Sequence, residues 1–86
     1  MADPLSVQIA TIPKNSREEI RAQLTEFKGT QFADFRVFAG DPGEQSERKP
    51  TRQGVAISFD RLPQFVRAVV AAEKEARALG LIGGQP

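Results

Sequence analysis

The chain has 86 residues, of which 12 are basic and 11 acidic, with no His, no Cys and a formal net charge of +1. That length suits one domain, and a chain of this size buries only about 60–65% of its unfolded surface, so a partner subunit that supplies further core is expected. The missing residue types exclude disulfides, thiol chemistry, the common zinc sites and the usual general base, while near-neutrality means that any attraction for nucleic acid has to come from local clustering.

No apolar run is long enough to span a membrane, and the N-terminus lacks the basic start and apolar core of a secretory signal. A soluble, cytoplasmic protein is expected. Met1 to Ser6 reads as loose chain. Val7, Ile9 and Thr11 then alternate with Gln8, Ala10 and Ile12, which permits either a short strand or an arm ended by Pro13. Residues 1–13 are thus an arm or short strand, 14–80 the domain, and 81–86 a flexible tail.

Ser16-Arg17-Glu18-Glu19 resembles a capping box, and the Arg, Glu, Ala, Gln and Leu that follow favour helix by propensity. Against this, Ile20, Ala22 and Leu24 alternate with Arg21, Gln23, Thr25 and Phe27, a strand pattern. Lys28-Gly29 then reads as a hairpin turn into a firmer strand. In that strand Ala33, Phe35, Val37 and Ala39 form an apolar face, and Phe32, Asp34, Arg36 and Phe38 form the other. The strand reading is preferred. Gly40-Asp41-Pro42-Gly43 marks a turn. Arg48-Lys49-Pro50-Thr51-Arg52 is the densest basic cluster, and its Pro restricts it to extended or edge backbone. Val55, Ile57 and Phe59 give the inner face of a further strand, with Ala56 and Ser58 outward. Asp60 is placed to cap a helix, along which Leu62, Phe65, Val66, Val69 and Val70 form an apolar stripe at helical spacing. Gly80 suits its stop.

The acidic residues show no metal-ligand spacing and the glycines no phosphate loop. No catalytic constellation emerges; the protein is expected to be no enzyme and to carry no cofactor or metal. The candidate surface is Arg21, Phe27, Lys28, Arg36, Phe38, Arg48, Lys49 and Arg52. Singly, Phe27 and Phe38 fit core aromatics, Arg36 a solvated strand residue, and Arg48, Lys49 and Arg52 a solvated loop. Together, aromatic and guanidinium groups on one sheet face suit unpaired bases and their phosphates. The helix stripe Leu62, Phe65, Val66, Val69 and Val70 is expected both to cover the sheet and to meet a second subunit.

Glu26-Phe27-Lys28-Gly29, Asp34-Phe35-Arg36 and Lys49-Pro50-Thr51-Arg52-Gln53-Gly54-Val55, followed by a strand and an amphipathic helix, resemble the positive cofactor 4 family of transcriptional coactivators. The run from Ile12 to Ile20 looks like its small bacterial members. The resemblance implies an α+β fold: a curved four-stranded antiparallel sheet followed by one C-terminal helix, homodimeric, with Glu18 to Phe27 as strand. It implies binding of single-stranded or melted DNA with little sequence preference, in a coactivator- or regulator-like role beside the transcription machinery, on the nucleoid if the protein is bacterial. Phe27 and Lys28 match the family's DNA-contacting Phe-Lys pair, Arg36 its basic residue on the next strand, Phe38 an aromatic position, and Arg52 the Arg of a basic turn. Thr25, Thr30 and Gln53 stand at basic positions and Ala39 at a Trp position, which implies weaker binding. A protein-interaction dimer on the same fold and an RNA-binding version are the alternatives.

Overall fold

The computed structural model describes residues 3–83. The chain turns first at Lys28 and Gly29, whose φ values of 52° and 81° are the paired left-handed conformations of the tight hairpin turn that matches strand twist. The turn joins strand β2 (Glu18–Phe27) to strand β3 (Thr30–Ala39), in register from Phe27↔Thr30 to Glu18↔Ala39. Strand β1 (Ser6–Pro13) pairs with β2, and strand β4 (Lys49–Ser58) with β3. The result is an open antiparallel sheet in the order β1-β2-β3-β4, followed by one helix, α1 (Leu62–Ala78).

Alternation divides the sheet into two faces. Ile20, Ala22 and Leu24 of β2 lie opposite Val37, Phe35 and Ala33 of β3, and Val55 and Ile57 of β4 continue that face. Ala22, Ala33 and Val37 are its buried members. The Phe65 ring of α1 packs on Phe35 with centroids 5.3 Å apart, which seats the helix here. The expectation of strand over helix for Glu18 to Phe27 is met: the apolar half of β2 has a neighbouring strand to pack beside, and that outweighs local propensity.

Three details differ from the sequence reading. Of the two readings left open for residues 7–13, strand is the one formed, with Ser6 added to it, but the alternation breaks at Ile9, where the pairing shifts register between Gln8 and Ala10. The extra residue returns Ile12 to the apolar side, opposite Ile20. Phe59 lies past the end of β4 in the turn to α1 and is exposed. Asp60 is not the N-cap: Arg61 holds that position without a side-chain cap, and Pro63 occupies the first turn. The Asp60 carboxyl is instead held below its usual pKa, chiefly by the Ser58 hydroxyl and then by the backbone of the turn. At the other end, Gly80 (φ 76°) donates to Arg77 O and Leu81 N to Ala76 O, the paired closing bonds of a glycine C-terminal cap. Of the tail, residues 84–86 lie outside the described residues, as do Met1 and Ala2 at the other terminus.

In β4 the residues Thr51, Arg52 and Gln53 stand opposite Val37 alone, between the pairs Arg36↔Gly54 and Phe38↔Pro50. The Thr51 hydroxyl donates to Val37 O at 2.8 Å and accepts from Gln53 N at 3.1 Å, which stitches the irregular stretch to β3. Gly54 closes it with φ 147°, and a Cβ there would meet Phe35 O at 2.4 Å and Arg36 Cα at 2.9 Å. Gly54→Ala is expected to lose about 1–3 kcal/mol of stability, read as a lower urea midpoint; an unchanged midpoint would mean that this backbone relaxes freely.

Candidate nucleic-acid interface

The register that builds the apolar face also collects the polar one. Glu19, Arg21, Gln23, Thr25 and Phe27 of β2 lie opposite Phe38, Arg36, Asp34, Phe32 and Thr30 of β3. At one end the buried Glu19 carboxylate accepts hydrogen bonds from Arg21 Nε at 2.5 Å and Arg48 Nη1 at 2.9 Å. Arg48 Nη2 donates to Ser16 O at 2.7 Å, and Arg21 Nη2 donates to Gln45 O at 3.0 Å. The Arg21 guanidinium lies over the Phe38 ring, 4.1 Å from its centroid, a cation–π contact. Gly40 leaves room for this arrangement, because a Cβ there would come within 2.9 Å of Arg48 Cγ.

In the middle of the face Asp34 grips Arg36 in a forked pair, with Nη2 to Oδ1 at 2.8 Å and Nε to Oδ2 at 3.5 Å. Arg36 Nη1 donates to Arg52 O across the irregular part of β4, which it reaches because Gly54 opposite it has no side chain. At the far end, about 20 Å along β2 from Arg21 at strand rise, Phe27 is 65% exposed. Lys28 Nζ sits 5.3 Å from the Phe27 ring centroid.

The sheet thus brings Arg21, Arg36, Phe27 and Phe38 to one face, with Lys28 at its hairpin tip and Lys49 and Arg52 exposed on the neighbouring strand. Lys28, Lys49 and Arg52 form no ion pair among the described residues. Arg48 stands apart from the cluster in which the sequence places it. Its side chain is buried against Glu19, so its charge is held inside the protein. On α1, Leu62 and Phe65 are half-buried, while Val66, Val69 and Val70 are exposed. Among the described residues no group of three or more acidic side chains is placed to hold a metal ion, and no helix is long and apolar enough to cross a membrane.

The family model described as Transcriptional Coactivator p15 (PC4) matches residues 14–68. The chain belongs to the PC4 family. The match runs from the β1–β2 connection into α1 and takes in the whole PC4 hairpin and the β3–β4 loop. A crystal structure of a PC4 homolog from Burkholderia pseudomallei, in an orthorhombic form, superposes with a TM-score of 0.70 at 27% identity, covering 87% of this chain and 99% of that one. Its tetragonal form gives 0.68 at 26% identity, covering 79% and 97%. No curated protein matches at a significant level.

Glu19 and Asp34, absent from the candidate list drawn from sequence, organise this PC4 face. Their signal was present in part, since each stands two residues before an Arg on the same strand, and i and i+2 share a strand face. The Glu19–Arg48 contact, across 29 positions, had no local signal. The hydrogen bond from Arg21, then the positive charges of Arg21 and Arg48, hold the Glu19 carboxyl below the ordinary carboxylate range. Glu18 is lowered by the Asn15 amide and by Lys14. A carboxyl with a depressed folded-state pKa stabilises the fold above its unfolded pKa of about 4.3, and that stabilisation is lost as pH falls through the folded value. Glu19→Gln is expected to lower the urea midpoint at pH 7 and to reduce its further fall between pH 4 and pH 2.5. Glu18 and Asp60 retain part of the acid sensitivity; an acid response equal to that of the native chain would remove Glu19 from the account.

Proposed function

We propose that the chain is a non-enzymatic homodimer that binds single-stranded or melted DNA with little sequence preference, in transcription or in the handling of exposed strands within the cytoplasm. The observation that carries this reading is Phe27. A Phe ring 65% exposed beside a tight hairpin turn, with Lys28 next to it, is well suited to stacking on an unpaired base while the ammonium meets the adjacent phosphate. Membership of the PC4 family, described as transcriptional coactivators, supports the same reading.

The internal ion pairs bound the electrostatics. If only Lys28, Lys49 and Arg52 each neutralise one phosphate, the slope of log affinity against log salt is about −2 per protomer; if all six candidate cations engage, it approaches about −4. The shallower value is expected, because Arg21, Arg36 and Arg48 already face carboxylates. The protein brings no chemistry to the strand, only positioning and charge.

Dimerisation is supported by the apolar surface that one chain leaves in water. No residue of α1 is buried, and Val66, Val69 and Val70 continue the stripe that begins with Leu62 and Phe65. A second copy of the helix stripe would cover them, and at about 25 cal/mol per Å2 of apolar area such burial is a substantial contribution for so small a core.

Fluorescence anisotropy of a labelled mixed-sequence single strand, with duplex and RNA as competitors, tests the binding. Salt-sensitive preference for single-stranded DNA is expected, with Phe27→Ala losing about 1–3 kcal/mol of affinity and keeping its urea midpoint. Loss of midpoint at unchanged affinity would make Phe27 a structural residue. No binding at low salt would favour a protein-interaction dimer, and preference for RNA an RNA-binding one. Val69 is 52% exposed in one chain, so Val69→Asp is expected to be nearly neutral for a monomer, within about 0.5 kcal/mol, but to shift the native dimer toward monomer in sedimentation equilibrium. A variant that sediments as the native protein does would move the interface elsewhere.

A further inference from the structure

Beside the Arg21–Phe38 stack lies an open concavity of about 770 Å3, walled by β1, the β1–β2 turn and the β3–β4 loop. Its size falls within the roughly 300–1,000 Å3 of clefts that take small ligands. Arg21 lines it, whereas Phe38 does not, so the stack meets the concavity through Arg21. Nε and Nη2 of that guanidinium are taken by Glu19 and Gln45 O, which fixes its plane. The remaining walls are mostly neutral and polar, through Gln8, Thr11, Asn15, Gln45 and Ser46, and the charged lining residues are Glu19, Arg21 and Arg48, held in one ion-paired cluster.

Phosphate seeks unpaired cations, and this concavity offers none that is not already bound to a carboxylate. A planar guanidinium backed by an aromatic ring and surrounded by neutral polar groups suits the flat face and polar edge of a nucleobase. We propose that the Arg21–Phe38 stack is a base-stacking site, receiving an unpaired nucleobase on the open face of Arg21 while the β1 and β3–β4 side chains meet its edge. This rests on the single-strand binding proposed above and adds a second stacking position to Phe27, at the other end of the same sheet face. The role of Arg21 is then to present a plane, with Glu19 as the residue that positions it.

Lys keeps the charge of Arg but not its plane. Arg21→Lys is therefore expected to weaken binding of a mixed-sequence single strand about 5- to 150-fold, the range of one lost stack, with the salt slope unchanged. In the native protein, the Arg21 Nε–H resonance is expected to move upfield when the oligonucleotide is added, under the ring current of the stacked base. Affinity of Arg21→Lys within twofold of native, or an Nε–H resonance that stays put or moves downfield as in a phosphate contact, would overturn the base site while leaving single-strand binding intact. Failure of the native protein to bind any single strand would remove both readings.

Discussion

The polar half of this structure depends on one buried carboxylate. Glu19 holds two guanidinium groups that arrive from different parts of the chain, Arg21 from its own strand and Arg48 from the end of the β3–β4 loop. Burying an ion pair is favourable only where the remaining polar atoms are also satisfied, and most are: Arg48 reaches Ser16 O and Arg21 reaches Gln45 O. The two backbone carbonyls belong to the two loops that flank the site. One side chain thereby fixes the position of both loops relative to the sheet, and with them the orientation of Arg21 over Phe38. Asp34 does the same on a smaller scale for Arg36.

This arrangement changes what the arginines of the face offer. A cation already facing a carboxylate has less to gain from a phosphate, since the new attraction must replace an existing one. What it retains is a fixed, weakly hydrated plane. The cations of the candidate surface that stay free of carboxylates among the described residues are Lys28, Lys49 and Arg52, at the hairpin tip and on the outer strand, and the proposed function gives them the backbone of the strand. On the function proposed above, the paired arginines become part of the surface against which bases lie. The near-neutral composition is thus compatible with the proposed nucleic-acid interface, in which charge and stacking are allotted to different residues.

The pattern of the β2–β3 hairpin was legible in the sequence because it is written locally. Alternation from Ile20 to Leu24, a Lys-Gly turn and a second alternating run define both faces before any tertiary contact is known. The helix was legible for the same reason, through the spacing of Leu62, Phe65, Val66, Val69 and Val70. What the sequence concealed was decided by distant partners. The run Val7 to Ile12 starts in alternation, and pairing with β2 then places a bulge at Ile9, whose position the local pattern does not mark. Arg48 reads as the first member of a solvated basic cluster, and only the fold shows its counter-ion 29 positions away. Asp60 has the chemistry of a cap, but Ser58 and the turn before the helix claim its carboxylate.

An open meander has two free edges, here the outer sides of β1 and β4, and free edges invite endless strand-to-strand growth. Both are blunted. β1 is interrupted at Ile9 and ends in Pro13; β4 begins beside Pro50 and departs from regular pairing through Thr51 to Gln53. A bulge twists the edge out of line and a proline lacks the N–H that a neighbouring strand would need. The chain therefore resists fibrillar stacking at its rims, and the contacts it is left free to make with other molecules lie on its two faces.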